Sequence, residues 1–346
     1  MQVVTKYTPL LFVFFLLQIL IAQDKGRQVF DDQTPLSIQM ELSFKEVRKN
    51  TNDSTYIATK LAYQVDEGEW EVLEASIRKR GRSRLERCYF APIKLKIKKK
   101  EAKGTLFQGK RKLKLVLPCQ MTQDKNDNVI KEFLAYRMFE ELSPYHFKTR
   151  LLNITLVEHR GNKEKTHHIK GFFIEDLEEL EDRFNAKELK REVHPLQQEN
   201  LCSFRNDLFQ YMIGNTDFSI AYQHNVKLLF FPDKSVIPIP YDFDMSGLVN
   251  ASYSFVSKPE GAQAPIKTVT DRWFRGFKRD EALCWKIRQE FLGKKEKIFT
   301  LFDSYKGYFD NENEFQEAKN FIQSFYLQIG NNATYKSEVL AKSRIK

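Results

Sequence analysis

The 346-residue chain has little of what builds nitrogen and sulfur metal cages: six histidines and four cysteines. No two of the cysteines form a CxxC pair, so a zinc site of the usual spacing is not expected. The lack of a histidine-rich set also makes a metal-dependent hydrolase an unattractive reading. After the first 22 residues no apolar stretch approaches the ~20 residues of a spanning helix, so no transmembrane span is expected there. Internal repeats and low-complexity blocks are absent as well. What is present is a chain with 42% hydrophobic and 13% aromatic residues. Its length suffices for one large core or two fused lobes.

The N-terminus carries Lys6, an apolar run from Pro9 to Leu17, then Ile19-Leu20-Ile21-Ala22 before the polar Gln23-Asp24-Lys25. A cation, a short apolar stretch and a small residue at its end predict a secretory signal over residues 1–22, cleaved after Ala22. An uncleaved membrane anchor is the alternative. The expected location is therefore secreted or periplasmic. In such a chain Cys88, Cys119, Cys202 and Cys284 could pair in three ways, or remain buried thiols. Asn52, Asn153, Asn250 and Asn332 open glycosylation sequons, which matter only in a eukaryotic source.

The net charge of +10 is uneven. Residues 78–114 hold sixteen Lys or Arg against two Glu, a local +14, which leaves −4 for the rest (10 minus 14). Within this segment Ile93, Leu95 and Ile97 alternate with Lys94, Lys96 and Lys98. Leu113, Leu115 and Leu117 likewise alternate with Lys112 and Lys114. Period two predicts antiparallel strands with one face in the core and one basic face. A basic face can be merely solvated, can hold an acidic polymer, or can place one lysine on nucleotide phosphates. Gly104 to Lys110 imitates the phosphate loop GxxxxGK. However, Arg111 stands where Ser or Thr is needed, and a strand follows where a helix should start, so the match is rejected.

Residues 36–42, 56–63 and 70–77 also read as strands, as do 151–157 and 169–174, the last two as a pair. Asp127-Asn128 opens an amphipathic helix that runs to Leu142 before Ser143-Pro144. Helices are expected over 175–184, over 206–213 and through much of 270–345. The predicted fold class is α+β and two-lobed: a β-rich N-terminal lobe over 23–175 and a mainly helical C-terminal lobe over 176–346.

The stretch with chemical promise runs from Gly214-Asn215-Thr216-Asp217 through His224-Asn225 to Tyr241-Asp242-Phe243-Asp244. Apolar runs 226–231 and 236–241 flank Pro232-Asp233-Lys234-Ser235 and predict a hairpin. Setting Pro232 opposite Ser235 sets Asn225 opposite Asp242. Pro238 and Pro240 make the second strand an edge strand, which leaves the register open to slip. An amide and a carboxylate at the open end of a hairpin suit Mg²⁺, which takes a few oxygen ligands and leaves the rest to water and phosphates. Asp217, arriving from the preceding helix, can orient a hydroxyl nucleophile, and Asp244 is a further ligand candidate. The competing reading of these acids is ordinary loop polarity. His224 reads as structural, and His167-His168 receives no role.

In order, the motifs resemble the spore-coat kinase CotH family, which belongs with atypical kinases such as HipA. They are Ile77-Arg78 through Arg80-Gly81-Arg82-Ser83-Arg84, Pro92-Ile93-Lys94-Leu95-Lys96, Phe133-Leu134-Ala135-Tyr136, Gly171-Phe172-Phe173-Ile174-Glu175, Gly214-Asn215-Thr216-Asp217, His224-Asn225 and Tyr241-Asp242-Phe243-Asp244. The resemblance implies a kinase-like fold. It also implies Lys94 on ATP phosphates, Glu175 at the nucleotide site, Asp217 as catalytic aspartate, and Asn225 and Asp242 on magnesium. Two departures stand out: Arg82 replaces the asparagine of the family's RGN, and the gap from Asp217 to Asn225 exceeds the DxHxxN spacing of HipA-type kinases. The expected function is ATP- and Mg²⁺-dependent phosphorylation of an extracytoplasmic protein, with no specific nucleic acid as partner. The alternative is a non-catalytic exported protein whose basic sheet face holds an acidic partner or polymer.

Overall fold

The structure, a computed structural model, describes residues 28–81, 83–121, 125–258 and 265–345. The expected signal segment, and Arg82 of the basic motif, lie outside the described residues.

The protein is mixed α/β. Its first half closes into a barrel of β1 (Leu36–Leu42), β2 (Ile57–Asp66), β3 (Glu69–Lys79), β4 (Ile93–Ile97), β5 (Lys112–Val116), β6 (Thr149–Arg160) and β7 (Lys163–Glu175), in the order β1-β2-β3-β4-β5-β7-β6. Neighbours run antiparallel except β1 and β6, whose parallel pairing from Leu36/Leu152 to Leu42/Glu158 closes the ring. Closure leaves no free sheet edge. The alternation in the basic segment works as period two requires. Ile93, Leu95, Ile97, Leu113 and Leu115 are fully buried in the barrel interior, while the intervening lysines face outward. Burying each such side chain contributes about 1.5–3 kcal/mol.

That outer face is largely not a bare basic surface. Lys94 pairs with Asp176 (2.6 Å), Lys112 with Glu178 (2.5 Å) and Lys110 with Glu179 (3.5 Å). These acids belong to α4 (Leu177–Phe184) and the residues leading into it. Asp176 caps that helix by accepting from the Glu178 amide, placing carboxylate at the positive end of the dipole. Part of the local charge is thus neutralised within the fold.

Helix α3 (Lys125–Leu142) lies before the expected lobe boundary at residue 175 but packs into the second hydrophobic cluster, with α5 (Asn200–Met212), α6 (Glu281–Gly293), α7 (Lys295–Ser304) and α8 (Glu312–Gly330). Phe133, Tyr136 and Phe139 supply its buried aromatics. The earlier α1 (Phe44–Asn50) and α2 (Ser83–Arg87) flank the barrel. A three-stranded sheet in the order β10-β9-β8 joins β8 (Lys187–Glu188), β9 (Val226–Phe230) and β10 (Val236–Pro240). Pro238 and Pro240 fall on its edge strand, where a missing N–H costs no ladder bond. Among the described residues no helix is long and apolar enough to cross a membrane. Cys88 and Cys119 form a disulfide across 31 residues; Cys202 and Cys284 are buried free thiols.

Candidate functional site

Three local structures converge on one cleft. The first is the turn after α5. Gly214 takes φ 63°, and a Cβ there would sit 2.8 Å from the Phe321 ring, so glycine is required. Asn215, buried, accepts from the Asp217 amide (2.9 Å) and donates to Gln210 (2.9 Å). Thr216 is clamped from both sides: its hydroxyl accepts from the Ser257 amide (3.0 Å), and its carbonyl accepts from Arg275. Asp217 therefore projects from a rigid turn.

The second is the β9–β10 hairpin. The observed register puts Pro240 opposite Val226, and the Tyr241 amide donates to the Asn225 carbonyl (3.0 Å). Asn225 thus faces Tyr241, one residue short of the expected Asp242. The cause is Lys234, which adopts φ 68° and adds one residue to the loop, so that Phe231 rather than Pro232 meets Ser235. The slip leaves Asn225 and Asp242 on the same cleft wall. Both hold left-handed backbone, at φ 53° and φ 63°. Such conformations cluster at functional sites when the surroundings over-determine them. Here the Asp242 amide is fixed by the Tyr136 hydroxyl (2.8 Å), and Phe243 is locked between Tyr136 and Phe209.

The third is the barrel wall. Arg80, just after β3, and Lys94 and Lys114, on β4 and β5, line the cleft, facing Asp217, Asn225, Asp242 and Asp244 across a volume of 510 Å³. Lys94, expected on phosphates, thus lines the same cleft as these four residues. Glu175 is not brought there. It is fully buried, accepts from both Arg183 nitrogens (3.1 and 2.7 Å) and from the Lys148 amide (3.2 Å), and does not line the cleft. Its chain neighbour Asp176 is the residue that holds Lys94.

The electrostatics divide the acids by task. Burial alone would raise the Asp217 carboxyl, but His224, through its hydrogen bond (3.1 Å) and charge, with Ser257 and Asn225, holds it below its usual range. The same bond raises His224, so each partner favours the charged form of the other. Asn225 donates to the Asp217 carboxylate (3.0 Å) and carbonyl (2.7 Å) through its nitrogen. This turns its amide oxygen away as a spare acceptor. Among the described residues no hydrogen bond reaches the Asp242 carboxylate, so the oxygens left over are a neutral amide and an anion. Such a pair fits a hard cation like Mg²⁺, which needs one or two carboxylates from protein. Asp244 is more heavily committed. It accepts from Tyr253 (3.1 Å) and lies 3.5 Å from Arg84, whose guanidinium also faces the buried Glu132 at 3.6 Å. Burial pushes Asp244 and Glu132 upward while Arg84 pulls both down.

Among the described lysines of the cleft, Lys114 is the one most altered by its setting. Its ammonium sits 4.7 Å from the Phe147 ring and 5.2 Å from Tyr241. Burial, with Arg80, Lys94 and Lys227 nearby, pushes it down to about 7. Sequence reasoning missed Lys114, Asp176 and the Arg84 network. One available signal was Glu132, a charge set between Ile130 and Phe133 on a face that must be buried. His167 bonds Glu158 (2.9 Å) under Tyr89 and Phe90, a structural placement outside this cleft. No protein-family model matches the chain, and no curated protein matches it.

Proposed function

We propose that the protein is an ATP- and Mg²⁺-dependent atypical kinase of the CotH-like kind, two-lobed and secreted or periplasmic, that phosphorylates a hydroxyl of an extracytoplasmic protein. The observation that carries this reading is the make-up of the cleft: oxygen donors on the hairpin, two of them on left-handed backbone, opposite barrel-wall cations that include Lys94 and Lys114. A polyphosphate needs cations on one side and a metal on the other.

In this reading Lys94, positioned by Asp176, and Lys114 receive the phosphates from the barrel side. Asn225 and Asp242 are the residues that would hold Mg²⁺, with Asp244 behind them. When bound, Mg²⁺ neutralises charge building on the phosphate oxygens. Asp217 accepts a hydrogen bond from the acceptor hydroxyl and aims its oxygen at the γ-phosphorus. Its lowered basicity favours orienting over early proton removal. The new bond joins that oxygen to the γ-phosphorus as the β–γ bridging bond breaks. ADP leaves, and the hydroxyl proton passes to Asp217 and then to solvent.

The non-catalytic alternative needs an open basic face, and the pairing of Lys94, Lys110 and Lys112 with acids around α4 weakens it. Calorimetric titration with ATP separates the two readings. The kinase reading expects binding that requires Mg²⁺ and is lost in Asp242→Gly. ATP binding of equal strength without Mg²⁺, or in that variant, would count against it.

A further inference from the structure

A second cavity, of 680 Å³, adjoins the segment that follows Asp217, with Phe218 and Ser219 in its lining. Its lining comes entirely from residues 194–344, with no contribution from the lysine-rich strands. It touches the proposed reaction centre at two places. His224 lines both cavities and bonds Asp217, and Arg275 lines this one while holding the Thr216 carbonyl. A donor bound along the barrel wall would leave this cavity on the acceptor side.

The cavity gathers cations with no carboxylate in direct contact with them. Lys258, Arg275 and Arg344 all line it, and among the described residues none of the three has a carboxylate within 4.0 Å. Arg275 is 9% exposed and lies near the Phe218 and Trp273 rings. Arg344 lies over Phe277 at 4.1 Å, and its backbone is stitched to Gly276 (2.9 Å) and Lys278 (2.8 Å). The fold thus fixes two guanidinium groups toward the same space, although like charges repel. Among the described residues the one acid in the lining is Asp207, which is 2% exposed, and its Oδ2 has no hydrogen-bond partner. Burial pushes that carboxyl up to about 7. In its protonated form it donates a hydrogen bond, and the partner it lacks is an acceptor.

We infer that this cavity is the acceptor-recognition site, and that it takes the carboxylate of an Asp or Glu flanking the phosphorylated hydroxyl of the substrate polypeptide. Two fixed guanidiniums, a lysine and a buried carboxyl oxygen without a hydrogen-bond partner suit a planar anion, and Phe218 and Phe277 cover the rest of the side chain. The position beside an acceptor rests on the kinase reading; the anion site does not.

The test uses the full chain with excess Mg²⁺ and a non-hydrolysable ATP analogue, which fills the basic cleft, and two fluorescent peptides that differ only in Glu or Gln beside a serine. The Glu peptide is expected to bind about tenfold or more tightly than the Gln peptide. The exposed substitutions Lys258→Glu and Arg344→Glu should each weaken it severalfold, with thermal unfolding unchanged in at least the former. Equal binding of the two peptides, or indifference to both charge reversals, would overturn the inference. If the Glu peptide binds as expected but ATP transfers no phosphate to its serine, the kinase reading fails and the anion site stands.

Discussion

Lys114 gives the most quantitative consequence of the cleft's construction. Its ammonium is pushed to about 7 by burial and by three neighbouring cations, far below the ordinary lysine value of 10.5. At about pH 8 a group with that pKa is protonated in only about a tenth of molecules. A bound triphosphate supplies the anion the pocket lacks and should restore the ordinary value, so binding should take up about 0.9 proton near pH 8 but only about 0.1 near pH 6. Calorimetry in two buffers of different ionisation heat reads this number directly. The Lys114→Met variant should abolish the uptake and bind ATP more weakly. The same shift has a stability consequence of definite sign. The native pKa lies below the unfolded one, so between 7 and 10.5 the unfolded chain binds more protons and stability rises with pH. Lys114→Met should therefore stabilise the apo protein most below about pH 7, and the gain should fade toward pH 10. If wild type takes up no proton on binding nucleotide near pH 8, or if Lys114→Met takes up as much, the assignment of Lys114 to the phosphates is wrong.

The left-handed backbone at Asp242 separates strain from chemistry. Asp242→Ala should cost about 1 kcal/mol more stability than Asp242→Gly, because only glycine is at ease at φ 63°, while both lose Mg²⁺-dependent ATP binding; equal melting temperatures would remove the strain argument. Glu175→Gln should destabilise the fold on the order of 3 kcal/mol by stripping Arg183 of its buried partner, yet leave ATP affinity unchanged in calorimetry. A large loss of affinity at unchanged stability would return Glu175 to the nucleotide site. Reducing Cys88–Cys119, or replacing both by serine, should lower stability by roughly 3–4 kcal/mol from the 31-residue loop it closes, measurable by urea unfolding. No change there would mean the unfolded chain is already compact.

The fold was legible where a local pattern has a single physical reading. Ile93, Leu95 and Ile97 alternate with lysines because one face must be dry, and β4 appears at those residues. Asp127 to Leu142 carries helical spacing and a following Ser-Pro, and α3 covers it. Barrel closure was not legible, because the parallel pairing of β1 with β6 joins segments over a hundred residues apart without a local signal. The start of α5 was read six residues late, at Asn206 rather than Asn200, because its cap is Glu199, whose carboxylate accepts from the Leu201 and Cys202 amides. Glutamate is not among the preferred caps. At the site, chain order pointed to a meeting of Asp217, Asn225 and Asp242, and all three line one cleft, but the hairpin register needed the conformation of Lys234, which sequence does not dictate. Glu175, expected at the nucleotide site, turns inward to Arg183, and its neighbour Asp176, at the helix cap, is the acid that faces Lys94.

The central claim is phosphoryl transfer, and one measurement addresses it most directly. The full chain is incubated with γ-labelled ATP, Mg²⁺ and an acidic serine-containing polypeptide, and label on the polypeptide is counted for wild type and Asp217→Asn. That substitution keeps the size of the side chain and an acceptor oxygen but removes its charge. The account predicts Mg²⁺-dependent incorporation by wild type and a drop of at least about a hundredfold in the variant. Incorporation at the same rate in both, or by neither although ATP binds, would contradict it.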